Sequence, residues 1–367
     1  MRARDLGIKL DGDIGEFNAI TDVKGVAVGY STIVKNNGKL DVGKGPVRTG
    51  VTAILPKGID GLLKNKACYA SWYSLSGNGE MTGTTWIKES GILEGPIMIT
   101  NTHSVGIVRD AVINWYIEKN YHKEYKIFWL LPVVAETYDG ILNDINGFHI
   151  KKKHVFEAID TASGGQIEEG NVGGGTGMIC HQFKGGSGTS SRVLTINGKQ
   201  FILGVFVQAN YGMREDLTVT GIPVGKKLTG LMPEYNDKIS KEELGSIIVI
   251  VATDAPLLPT QLNRLATRVP IGIGRVGGYG AHSSGDIFLA FSTSNDITVD
   301  KPNNLAKSTN TLECLLNKDM NKLMQATIEA TEEAILNALL SAETMEGING
   351  NKVYSIPKDK LLSLLSI

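Results

Sequence analysis

Residues 240–259 read SKEELGSIIVIVATDAPLLP. A charged segment stops at Gly245, and from Ile247 the chain becomes continuously apolar. The run 247–252 is β-branched and lacks alternation, which predicts a strand covered on both faces. Ser246 stands alone at the boundary. One reading makes it structural: Ser240 and Glu243 fit a capping box for a helical turn, Gly245 is the C′ residue, and Ser246 merely opens the strand. The other uses its hydroxyl as a nucleophile. No local side chain supplies a base, but a free α-amine, with an ordinary pKa of ~7.7–8.0, would do so near neutral pH. That requires the chain to be cut between Gly245 and Ser246. A glycine on the acyl side, an exposed segment before it and a buried strand after it all suit such a cut.

Outward from this stretch, short β-type runs alternate with glycine-rich turns. They fall at 23–33, 50–56, 95–102, 126–137, 192–212 and 285–294. The apolar run 129–135 predicts a second strand covered on both faces. Helical spacing predicts helices over 104–119, 258–269 and 318–342. Strands buried on both sides with helices outside imply a layered sandwich. The segment 213–245, with Pro223, Pro233 and mixed charges, reads as a long exposed connection.

The chain has 367 residues, a formal net charge of −1 and 44 glycines, a glycine share well above the usual ~7%. Near-neutral charge gives no reason to expect a nucleic-acid partner. Cys68, Cys180 and Cys314 are widely spaced and suggest buried free thiols rather than a metal site or a disulfide framework. The six histidines show no metal spacing. The first residues carry no secretory pattern and no apolar run reaches ~18 residues, so no membrane segment and a cytoplasmic location are expected.

Other motifs are weaker. GIGRVG (272–277) matches G-x-G-x-x-G, but the strand before it and the acidic residue after it are missing, so a glycine loop shaping a site is the better reading. NVGGGTGMICHQFKGGSGTSS (171–191) lacks a phosphate-loop ending and reads as a flexible loop packed close to other backbone. A triad of His282, Ser283 or Ser284, and Asp286 places its members too close in sequence to converge.

GSIIVIVATDAPLLPTQLNRLATR (245–268) resembles a segment of the self-processing L-aminopeptidase/D-esterases and β-peptidyl aminopeptidases. In those enzymes the serine begins the small subunit. NAITDVKGVAVGY (18–30), ETYDGILNDINGFH (136–149), GGGTGMICHQFKGGSGTSSR (173–192), VQANYG (207–212) and SSGDIFLAFST (283–293) resemble family blocks in the same order. The resemblance implies an α+β fold, a four-layer αββα sandwich similar to N-terminal-nucleophile hydrolases but differently connected. It implies one domain over 1–367, cut into 1–245 and 246–367, and an aminopeptidase acting on short peptides, amides or esters. It implies Ser246 as nucleophile, Asn210 as oxyanion donor, and Ser284 and Asp286 as partners of the nucleophile and its amine. Asp286 departs in length, since glutamate also occurs there. Glu136 would bind the substrate ammonium and Tyr138 would line its pocket. No metal or cofactor is implied, and αβ units would assemble further, commonly as tetramers. Two alternatives stand beside this reading: an ornithine acetyltransferase-like acyltransferase, and an unprocessed binding protein on the same scaffold.

Overall fold

A computed structural model describes residues 1–119, 128–236, 245–298 and 311–367. In chain order its strands begin with β1 (Ala27–Lys35), β2 (Val47–Leu55), β3 (Lys66–Gly77), β4 (Ile92–Leu93), β5 (Ile97–Asn101) and β6 (Val133–Thr137). They continue with β7 (Ile179–Cys180), β8 (Phe183–Lys184), β9 (Gly186–Ile196), β10 (Lys199–Asn210), β11 (Ser246–Thr253) and β12 (Gly285–Thr298). A four-stranded sheet has the order β1-β2-β5-β6, and a six-stranded sheet the order β4-β3-β12-β11-β10-β9.

The expected double burial of 247–252 is realised through the two-residue period of a strand. Ile247, Val249 and Val251 pack toward the helices Pro259–Ala266, Val269–Val276 and Asn321–Ser341. Ile248, Ile250 and Ala252 pack toward the other sheet, against Ile54, Ile97, Ile99 and Ala135. The outer face of the four-stranded sheet is covered by helices Val105–Glu118 and Lys152–Asp160, through Val108, Trp115, Val155 and Ile159. Three cores therefore separate four layers, the expected αββα sandwich. Among the described residues no helix is long and apolar enough to cross a membrane.

Several expectations need correction. In the run 129–135 the strand starts only at Val133, because Pro132 has no N–H for a central ladder. Trp129 is 56% exposed and leans edge-on against Trp86. GIGRVG is no loop. It lies in helix Val269–Val276, which ends at Gly277 in the left-handed region (φ 107°). Its Gly272 lets two helices close: a Cβ there would stand 2.7 Å from the Ile328 carbonyl oxygen. The stretch 171–191 does pack tightly, but it is ordered: a buried turn at Gly173–Gly175, the β7–β8 hairpin, then β9.

Within 213–245 the first half is not an exposed connection. Leu217, Val219, Val224 and Leu228 join the core, and buried Arg214 donates to the carbonyls of His181, Gln182, Leu228 and Gly230. The expected capped turn at Ser240 and Glu243 lies outside the described residues. Cys68 and Cys180 are buried as expected, whereas Cys314 is exposed.

Candidate active site

The strands converge at one end of the sandwich. β10 ends at Asn210, opposite Ser246 at the start of β11. Ser246 in turn lies opposite Gly285 at the start of β12, and Gly285 opposite Gly77 at the end of β3. From the other sheet, β5 and β6 end side by side at Asn101 and Thr137. A bridge from Met81 to Ala135 ties the segment after β3 to β6.

Ser246 is 4% exposed. The carbonyl oxygen of Gly245 before it accepts the Gly285 N–H at 3.2 Å. Gly285 has no room for a side chain: a Cβ would stand 2.5 Å from the Asn78 carbonyl oxygen. The Ser284 hydroxyl donates to Asp286 Oδ1 at 2.7 Å, and the Ile247 N–H donates to the same oxygen at 3.2 Å. Asp286 thus binds the main chain one residue past Ser246. β3 is bulged beside it, because Leu75 is left without a partner between Ser76, opposite Asp286, and Ser74, opposite Ile287. His282 is exposed, so Ser284, His282 and Asp286 do not form a triad; Ser284 bonds Asp286 directly.

The Asn210 amide is held at both ends. Its Oδ1 accepts the Ile179 N–H at 2.8 Å, and its Nδ2 donates to the Tyr138 carbonyl oxygen at 3.0 Å. Partners of opposite polarity fix the orientation of the amide. Nδ2 carries two hydrogens, and the Tyr138 contact uses one of them.

Glu136 reaches the same end from β6. It is buried, and its Oε1 accepts the Glu80 N–H at 2.9 Å while Oε2 accepts the Thr102 hydroxyl. Burial raises its pKa above the usual glutamate value; the two donors oppose the shift without cancelling it. Among the described residues both hydrogen bonds come from uncharged donors, so the carboxylate can accept a cation. Gly79 lies between it and the serine strand: a Cβ on Gly79 would be 3.0 Å from Gly285 Cα and 3.3 Å from Glu136 Oε1. The Tyr138 side chain is 42% exposed. Burial of its hydroxyl raises its pKa, helped by the neighbouring Asp139 carboxylate.

Ser246, Asn210, Ser284, Asp286 and Glu136, all singled out in the sequence, therefore come together at one end of the sandwich, and Tyr138 joins them through its main-chain carbonyl. Sequence reasoning missed the main-chain donors of Gly285, Ile179 and Glu80, and the Thr102 hydroxyl. Main-chain N–H groups belong to every residue but proline, so nothing in the residue types marks these three.

The chain matches Peptidase family S58 over residues 18–353. It is 49% identical to the beta-peptidyl aminopeptidase BapA of Sphingosinicella microcystinivorans, over 99% of this chain and 91% of that protein. Among solved structures, the PH0078 protein from Pyrococcus horikoshii OT3 superposes with a TM-score of 0.92 at 43% identity, covering 100% of this chain and 99% of the other. The L-aminopeptidase D-Ala-esterase/amidase from Ochrobactrum anthropi, described as a prototype of the serine aminopeptidases and a variant of the Ntn hydrolase fold, gives 0.91 at 43% identity, covering 100% and 98%. With the fold and these matches in agreement, the chain belongs to peptidase family S58 and is a serine aminopeptidase.

Proposed function

We propose that the chain cuts itself between Gly245 and Ser246 and then uses Ser246 as an N-terminal nucleophile. The observation that carries this is the Gly285 N–H on the Gly245 carbonyl oxygen. In the cut, Ser246 Oγ adds to the Gly245 carbonyl carbon, and negative charge develops on the oxygen that this N–H already holds. The C–N bond breaks as the amine takes a proton, leaving an ester. Water then hydrolyses that ester, releasing the Gly245 carboxyl group and restoring the Ser246 hydroxyl beside the α-amine freed in the previous step.

In the mature site that amine removes the Ser246 hydroxyl proton as Oγ attacks the substrate carbonyl. The proton passes to the leaving amine, and water later frees the acyl group. Asn210 Nδ2 stabilises the oxyanion with its second hydrogen. Ser284 and Asp286 orient the new chain end. Glu136 binds the substrate ammonium, which restricts attack to N-terminal residues because an internal peptide bond has none. Fragments 1–245 and 246–367 stay joined as one αβ unit, since β11 lies between β10 of the first and β12 of the second. By likeness to the relatives, N-terminal β-residues are proposed substrates, and αβ units are proposed to assemble as tetramers in the cytoplasm.

The test is a denaturing gel with mass measurement. Two fragments, the smaller beginning at Ser246, are expected; one full-length band, stable on storage, contradicts the cut. Amides of L-, D- and β-amino acids then define the substrate, and light scattering gives the assembly.

A further inference from the structure

Lys184, on β8, is fully buried. Its ammonium donates to the carbonyl oxygens of Met178 at 2.8 Å, Gly185 at 2.9 Å and Gly175 at 3.4 Å. Among the described residues, every hydrogen bond made by this ammonium ends on a main-chain carbonyl. The Met178 oxygen also accepts the Gly185 N–H at 2.9 Å. Met178 C=O and Ile179 N–H are the two ends of one planar peptide group and point in opposite directions. That same Ile179 N–H binds Asn210 Oδ1 at 2.8 Å, and Asn210 Nδ2 then meets the Tyr138 carbonyl oxygen at 3.0 Å.

We infer that Lys184 is a positioning residue, whose buried charge locks and polarises the Met178–Ile179 peptide and through it the Asn210 amide. A cation on the carbonyl end strengthens the donor at the N–H end, and hydrogen-bonded chains reinforce one another in this way. Withdrawal of electron density through Asn210 Oδ1 makes its Nδ2–H a stronger donor toward a developing oxyanion. Burial pulls the ammonium down to about 7. A buried amine whose pKa is moved this far beside a candidate active site is a recurring mark of functional sites. The inference rests on the reading of Asn210 as oxyanion donor.

The experiment compares Lys184→Met, which keeps the apolar stem, with Asn210→Ala and the double variant. Turnover is measured on cut enzyme, and cutting is followed on fresh precursor. Lys184→Met is expected to lower kcat roughly tenfold with KM unchanged, and to add no further loss in the Asn210→Ala background. Wild-type kcat in Lys184→Met, or the same tenfold factor in both backgrounds, overturns the inference while leaving Asn210 in its role. Unchanged kcat in Asn210→Ala removes that role and the inference with it. Should Lys184→Met not fold, Ile179→Pro deletes the N–H itself and is held to the same two outcomes.

Discussion

The two sheets bring different kinds of carboxylate to one end of the sandwich. Asp286, on the six-stranded sheet, accepts donors from Ser284, next to the serine's register partner Gly285, and from Ile247, next to the serine itself. Its contacts organise the chain around Ser246. Glu136, on the four-stranded sheet, is buried against uncharged donors and carries a raised pKa because burial outweighs them. Its two hydrogen-bond donors, the Glu80 N–H and the Thr102 hydroxyl, carry no charge. Under the proposed roles the two sheets would divide the work: the six-stranded sheet would hold the groups that make and break bonds, and the four-stranded sheet would read the substrate's amine. Substitutions on the first should change kcat and the cut; those on the second should change KM.

The strongest attempt to break this division is Ser246→Ala. It should leave one uncut chain with no aminopeptidase activity above background, by gel and by p-nitroanilide release. Residual activity would take the nucleophile off the six-stranded sheet. Asn210→Ala comes next, with kcat expected to fall about 10²–10³-fold, as for loss of one oxyanion donor. A rise in KM alone would instead move Asn210 into substrate binding.

Glu136→Gln tests the other sheet. The isosteric amide loses the charge, so KM should rise roughly 10- to 100-fold with kcat nearly kept, the usual worth of a charged hydrogen bond. The sign with pH follows from the shift. A carboxyl with a raised pKa becomes neutral at a higher pH than an ordinary glutamate as acid is added. In the free enzyme kcat/KM should therefore fall on the acid side with an apparent pKa above 4.5, and that limb should vanish in Glu136→Gln. An unchanged acid limb in the variant would mean that another group titrates there.

Much of this was legible in residue types. The apolar run 247–252 marked a central strand because neither face could meet water, and Gly245–Ser246 marked an abrupt change of environment. The strand β3 was not legible. KACYASWYSLSG has no continuous apolar run, and much of it is only half-buried, yet it lies beside β12 and carries the unpaired Leu75 next to Asp286. The GIGRVG motif misled because a glycine that lets helices touch looks the same in sequence as one that turns a loop. The site's side chains were visible, but its main-chain donors were not. Gly285 shows why: its value lies in an N–H and in the absence of a Cβ, and neither distinguishes it from 43 other glycines.

Tyr138 bears on the same division because it directly follows β6 of the four-stranded sheet and its main chain reaches the six-stranded one. Its carbonyl oxygen holds Asn210 of the six-stranded sheet, while its half-exposed ring faces solvent at the end of β6. A side-chain substitution leaves the carbonyl in place. Tyr138→Ala should therefore behave as a four-stranded-sheet variant, with kcat close to wild type and KM raised roughly 3- to 10-fold, the range expected for one aromatic contact. The rise should depend on the size of the N-terminal residue, read across amides from glycine to phenylalanine. If kcat instead falls as far as it does in Asn210→Ala, the ring supports the carbonyl that orients the amide, and the two sheets share the chemistry rather than divide it.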